Sequence, residues 1–104
     1  MSAPRLDERA RVDAVVRGRV QGVGFRYFAL ELATGLGLVG WVANDPDGSV
    51  RCVAEGRRPD VETFLTALRV GPLGARVDDV ETTWGPPRGS AERFTVRSGG
   101  HSGD

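Results

Sequence analysis

The chain has 104 residues, enough for one domain with one modest core. Fourteen arginines, with no lysine, balance fourteen acidic residues, and 39% of the chain is apolar; this fits a globular protein in water, and a net charge near zero argues against an electrostatic nucleic-acid binder. A single cysteine excludes an internal disulfide and a cysteine metal cluster, no apolar run approaches the ~20 residues of a membrane span, and the N-terminus lacks a signal-peptide core, so a cytoplasmic protein with no membrane partner is expected.

Residues 1–10 are polar, contain Pro4 and show no sustained period, which reads as a flexible arm. Residues 11–19 alternate. Val12, Ala14, Val16 and Gly18 share one face, and Arg11, Asp13, Arg17 and Arg19 the other, the pattern of a half-buried strand. Val15 falls on the charged face and predicts partial cover there. A helix follows, with Phe25, Phe28, Ala29, Leu32 and Leu36 as its apolar stripe and Gly35 and Gly37 as its stop.

Residues 38–44 form a second strand, in which Val39, Trp41 and Ala43 alternate with Gly40, Val42 and Asn44; Trp41 reads as buried. Asp45-Pro46-Asp47-Gly48 is turn chemistry, and residues 49–55 return as a third strand, so the two make a hairpin. Cys52 lies in that strand as a small buried side chain. Residues 56–59 break the pattern. Val61, Phe64, Leu65 and Leu68 then mark a second helix, with Asp60 and Glu62 at its positive end and Gly71, Pro72 and Gly74 as its stop. Residues 75–84 form a fourth strand. Val77 and Val80 break strict alternation there and predict a bulge or a frayed start. Residues 94–97 are a short fifth strand. Residues 98–104, which include His101, read as a second flexible tail around a folded body of residues 11–97.

The order β-α-β-β-α-β with a short final strand predicts an α+β domain. Its architecture is the ferredoxin-like split βαβ arrangement, an antiparallel sheet with two helices on one face. A doubly wound parallel sheet fits less well, because the hairpin connection is too short for a crossover.

The stretch that carries chemistry is Gly18-Arg19-Val20-Gln21-Gly22-Val23-Gly24-Phe25-Arg26. An apolar strand runs into a glycine-rich turn, and a helix leaves it with an arginine in its first turn. Glycines let backbone N–H groups approach a ligand, and a helix N-terminus adds donors and partial positive charge. The Arg26 guanidinium adds a planar fork suited to phosphate or carboxylate oxygens. Strand-to-helix turns also use glycine for geometry alone. Asn44, at the end of the second strand, could equally be a turn-starting residue; spacing does not settle whether it reaches the cradle.

This stretch and the run Gly40-Trp41-Val42-Ala43-Asn44 with Gly48-Ser49-Val50 resemble the two signature stretches of the acylphosphatase family. The resemblance spans residues 13–97. It implies a ferredoxin-like fold and hydrolysis of the carboxyl–phosphate bond of small acyl phosphates, without metal or cofactor. It also implies that Arg26 binds the phosphoryl group, that Asn44 orients the attacking water, and that Gln21, Gly22, Val23, Gly24 and Phe25 form the phosphate-binding loop. A monomer is expected. Asp45 departs from the family pattern, where an uncharged residue is common; an outward carboxylate in the turn is the reading preferred here. The same cradle could instead hold phosphate without turnover. RNA binding of the kind seen on this fold is disfavoured by the lack of a basic surplus and of exposed aromatics on the central strands.

Overall fold

The computed structural model describes residues 8–98. The expected N-terminal arm up to residue 7 and the tail from residue 99, with His101, lie outside the described residues. The elements are β1 (Arg9–Arg19), α1 (Phe25–Gly35), β2 (Val39–Asn44), β3 (Val50–Arg57), α2 (Arg58–Val70), β4 (Arg76–Gly85) and β5 (Phe94–Arg97). β1 begins two residues earlier than the alternation indicates, because Arg9 and Ala10 pair with Arg57 and Gly56. β3 is also longer than expected. It hands over to α2 with no intervening loop, since Pro59 sits within the first helical residues, where its missing N–H costs nothing.

The strands lie in the order β4-β1-β3-β2-β5. β1 pairs antiparallel with β3 and β4, and β2 pairs antiparallel with β3. β5 is the exception to the antiparallel expectation: it lies parallel to β2, so the sheet is mixed. The chain leaves β4 at one edge and must cross the whole sheet to reach the other. Glu55, 4% exposed, holds that crossing segment by accepting the N–H groups of Arg88 (3.0 Å) and Gly89 (3.1 Å), with the Arg11 guanidinium 3.4 Å away. The bulge expected in the fourth strand is present, as the β1–β4 register skips Asp78 between the Arg17–Asp79 and Gly18–Val77 pairs.

Both helices pack on one face. Val12, Ala14 and Val16 of β1, Val42 of β2 and Val50, Cys52 and Ala54 of β3 meet Phe25, Ala29 and Ala33 of α1 and Val61, Phe64, Leu65 and Leu68 of α2. Each large side chain buried this way contributes about 1.5–3 kcal/mol. Cys52 is a core residue as expected; burial pushes its thiol far above its ordinary pKa and leaves it unreactive. Among the described residues no helix is long and apolar enough to cross a membrane.

The opposite face of the sheet is polar. Val15 is half-buried there, as its position implied. The Arg51 guanidinium donates from Nε (3.0 Å) and Nη2 to the Asp13 carboxylate, and this bonding holds the Asp13 carboxyl below the usual range. Trp41 corrects the sequence reading. It is half-buried on this open face, because Gly40 and Val42 take the helix side of β2. Its ring is covered by the guanidinium of Arg97, 4.2 Å from the ring centre, and flanked by that of Arg51 at 5.5 Å.

Candidate active site

β1 and β2 are both antiparallel to β3, so they run in the same direction and end at the same edge of the sheet. Val16, Val50 and Asn44 lie in one row across β1, β3 and β2. The glycine-rich turn therefore leaves β1 at the edge where Asn44 ends β2. Sheet order, which spacing could not supply, brings the turn and Asn44 to one edge.

Alternation shapes the turn. Val20 and Phe25 are buried and Val23 packs against the core, whereas Gly22 and Gly24 face outward. Gly22 and Gly24 have φ of 75° and 76°, the left-handed region that side chains with a Cβ rarely adopt. An added Cβ at either would meet nothing within 4 Å, so conformation rather than crowding demands glycine, and the space outside the turn is open. Gly24 is the N-cap of α1. The first ladder bond runs from Phe28 N–H to Gly24 C=O (3.1 Å), so the donors before it face the turn. The first turn of α1 holds no acidic residue and no side-chain cap.

Two hydrogen-bond sets tie this turn to Asn44. The Gln21 side-chain amide donates to the carbonyls of Asp45 (2.8 Å) and Ser49 (2.9 Å), the two ends of the hairpin turn. Arg26 Nη1 donates to the carbonyl of Arg97 (2.7 Å), and Arg97 is paired with Ala43. One bond set thus holds the residue after Asn44, and the other reaches the residue before it through β5. Asn44 itself is 2% exposed. The side chain of Gln21 is therefore spent on the hairpin, which leaves its backbone for the cradle. Neither brace was visible in the sequence. Nothing in residue type announces a backbone carbonyl such as that of Arg97 as an anchor, and the use of Gln21 depends on which strand lies opposite.

The hairpin turn is closed by Asp45 N–H to Ser49 C=O (2.9 Å) and Gly48 N–H to Asp45 C=O (3.1 Å). Asp47 caps it, accepting from Ser49 N–H (3.0 Å) and Oγ–H (2.6 Å), and these bonds hold its carboxyl below the usual range. Asp45 contributes its backbone to the turn. It lines a charged hollow of the open face together with Asp13, Arg17 and Arg51. Among the described residues no group of three or more His, Cys, Asp and Glu is arranged to hold a metal ion.

What this edge can do chemically is bind an oxyanion. It offers backbone donors, the positive end of a helix, an anchored guanidinium and a buried amide. The acylphosphatase family profile matches residues 12–96. An acylphosphatase of Thermus thermophilus is 52% identical over 79 residues, covering 76% of this chain and 90% of that protein. One of Salinibacter ruber is 46% identical over 87 residues, covering 84% and 92%. The crystal structure of acylphosphatase from Bacillus subtilis superposes with a TM-score of 0.82 at 36% identity, covering 85% of this chain and 98% of that one. A family match across residues 12–96, relatives about half identical over most of both chains and a shared fold show that the chain belongs to the acylphosphatase family of hydrolases.

Proposed function

We propose that the chain hydrolyses the carboxyl–phosphate bond of acyl phosphates by in-line attack of a water molecule that Asn44 orients. Arg26 and the backbone N–H groups of the Gln21–Phe25 turn hold the phosphoryl oxygens and stabilise the charge they carry in a loose transition state. The Asn44 side-chain oxygen accepts a hydrogen bond from the water and aims its lone pair at phosphorus. The new P–O bond forms as the bond to the acyl oxygen breaks, and the electron pair leaves with the carboxylate. The water's proton passes to a phosphoryl oxygen, giving inorganic phosphate. The leaving group is the anion of an acid with pKa of about 4, so no strong general acid is needed. Positioning and charge stabilisation suffice, and the proposal uses no metal, cofactor or macromolecular partner.

The observation that carries this reading is the double tie between the turn and the end of β2. Gln21 bonds Asp45, and Arg26 bonds the strand partner of Ala43, so three sequence-distant groups meet at one edge.

Phosphate release from acetyl phosphate in the presence of chelator tests it. Wild type is expected to turn over. Arg26→Ala is expected to lose about 10²–10³-fold in kcat, the scale for removing a positioned oxyanion donor. Asn44→Ala is expected to lose about 10²-fold in kcat while inhibition by inorganic phosphate persists, since the water and not the phosphoryl group is mishandled. A folded wild type that binds phosphate without releasing it from substrate would make the cradle a binding module. Normal turnover by either variant would remove that residue from its role.

A further inference from the structure

We infer that Arg19 and Arg76 form a cationic rung beside the glycine-rich turn, which draws anionic substrate to the cradle from the β1–β4 side and takes no part in the chemical step. The inference rests on the phosphoryl group binding at the Gln21–Phe25 turn.

The rung is the last of the β1–β4 ladder. Arg19 pairs there with Arg76, and β1 ends at Arg19. Directly opposite residues of an antiparallel pair share a face with Cβ atoms about 4.5–5.5 Å apart, and like charges so placed destabilise a sheet. The bulge creates this pairing. An unbroken register would continue from Arg17–Asp79 to set Arg19 against Val77 and Val20 against Arg76; skipping Asp78 sets the two arginines against each other. Gly18 makes room for the bulge, since its φ is 130° and a Cβ there would overlap the Arg76 carbonyl oxygen. Bulges beside functional sites re-aim side chains in this way.

Elsewhere on the open face the arginines are matched with acids. Arg11 meets Glu55, Arg51 meets Asp13, and Arg17 meets Glu81 at 2.7 Å. Among the described residues no hydrogen bond or ion pair holds the Arg19 guanidinium. Arg76 gives its Nε to Asp78 at 3.2 Å, an exposed contact that contributes little. The next acids along the ladder lie further from the turn, Asp79 opposite Arg17 and Glu81 opposite Val15. The ladder thus acquires a positive surplus at the rung that borders the cradle. On the other flank the hairpin carries Asp45 and Asp47. An incoming anion is attracted on the β4 side and repelled on the hairpin side.

Placement separates this role from that of Arg26. Arg19 shares the open face with Arg17, whereas Arg26 belongs to α1 on the other face. Gln21 follows Arg19 by two residues, at most about 7 Å along the chain, within the roughly 8 Å over which charge acts at physiological salt. The rung therefore acts on the approach of substrate through its field.

Kinetics on acetyl phosphate at about 0.01 M and about 1 M salt test the rung, because screening is weak at the first and nearly complete at the second. Arg19→Gln is expected to raise KM about fivefold at low salt, to leave kcat within about twofold, and to match wild type at high salt. Arg76→Gln is expected to act in the same direction. Arg19→Lys, which restores the charge, is expected to restore KM. Removal of a like-charge pair is expected to leave the urea midpoint of Arg19→Gln at or above wild type, an outcome opposite to the loss of a structural residue. A KM unchanged at low salt, a KM shift that persists at high salt, or a failure of Lys to rescue overturns the inference. Failure of the wild type to hydrolyse acetyl phosphate overturns the parent reading instead, and the same variants and salts then test the rung through the Kd of inorganic phosphate.

Discussion

The two helices of this chain begin in opposite ways. α2 follows β3 directly, with the extended Arg57 as its N-cap. Pro59 removes one donor from its first turn, Asp60 places a carboxylate there, and the Arg58 N–H donates to the Glu8 carbonyl at 2.8 Å. α1 follows β1 through an exposed, glycine-rich turn. Its N-cap is left-handed Gly24, and its first turn carries Arg26 and no acidic residue. Both helices bury an apolar stripe in the same core, so packing does not explain the contrast. Each N-terminus presents the same partial positive charge and the same surplus of donors. At α2 the protein meets that charge with its own carboxylate. At α1 it leaves the carboxylate out, and an anionic substrate can take its place. The contrast between the two helix starts is written in sequence partly as a missing cap.

The strongest way to break the contrast is to give α1 the acid it lacks. Gly24→Asp puts a carboxylate at the N-cap, where it can accept from the N–H groups two and three residues on. Asp tolerates the left-handed conformation better than most residues. The space around Gly24 admits a side chain. Capping contributes about 1 kcal/mol, and left-handed strain costs about 1–2 kcal/mol, so stability is expected to change little. Phosphate, however, must now compete with a tethered carboxylate. Its inhibition constant is expected to rise about tenfold, the equivalent of about 1.4 kcal/mol at a helix terminus. Gly24→Ala carries the strain without the charge and serves as the control. Equal inhibition constants in the two variants would mean that α1's empty N-cap has nothing to do with anion binding.

Much of this contrast could be read before the fold was known, and the reasons for the remainder are physical. The stripe beginning at Phe25, the stop at Gly35 and the strand Phe94–Arg97 follow from local periodicity, and the structure keeps them. The absence of an acid near Arg26 is equally local. What periodicity could not supply is which strands become neighbours. Asn44 ends at the same sheet edge as the glycine-rich turn only because β3 lies between β1 and β2 and makes both end there. Trp41 reads as core by residue type, yet a strand has two faces and the register gave the inner one to Val42; two arginines then cover the ring. The parallel pairing of β5 depends on a crossing segment pinned by Glu55, a contact 33 residues away in sequence. The anchor for Arg26 is a carbonyl, which every residue possesses, so no side chain at position 97 could have announced it.

The smallest expected effect sits at the other helix and sharpens the contrast from that side. Asp60→Asn removes the charge from α2's first turn but keeps the side chain's size and its hydrogen-bonding capacity. The loss is the charge–dipole interaction alone, about 0.3–1 kcal/mol. It is expected to appear as a lower midpoint in urea denaturation with an unchanged slope, and to shrink in high salt. Phosphate inhibition and turnover are expected to stay at wild-type values, because α2's terminus lies at the end of β3, opposite the edge where Val50 meets Asn44. A change in phosphate inhibition would show that the two termini are coupled through the core, and the division of labour between a capped and an uncapped helix would not hold.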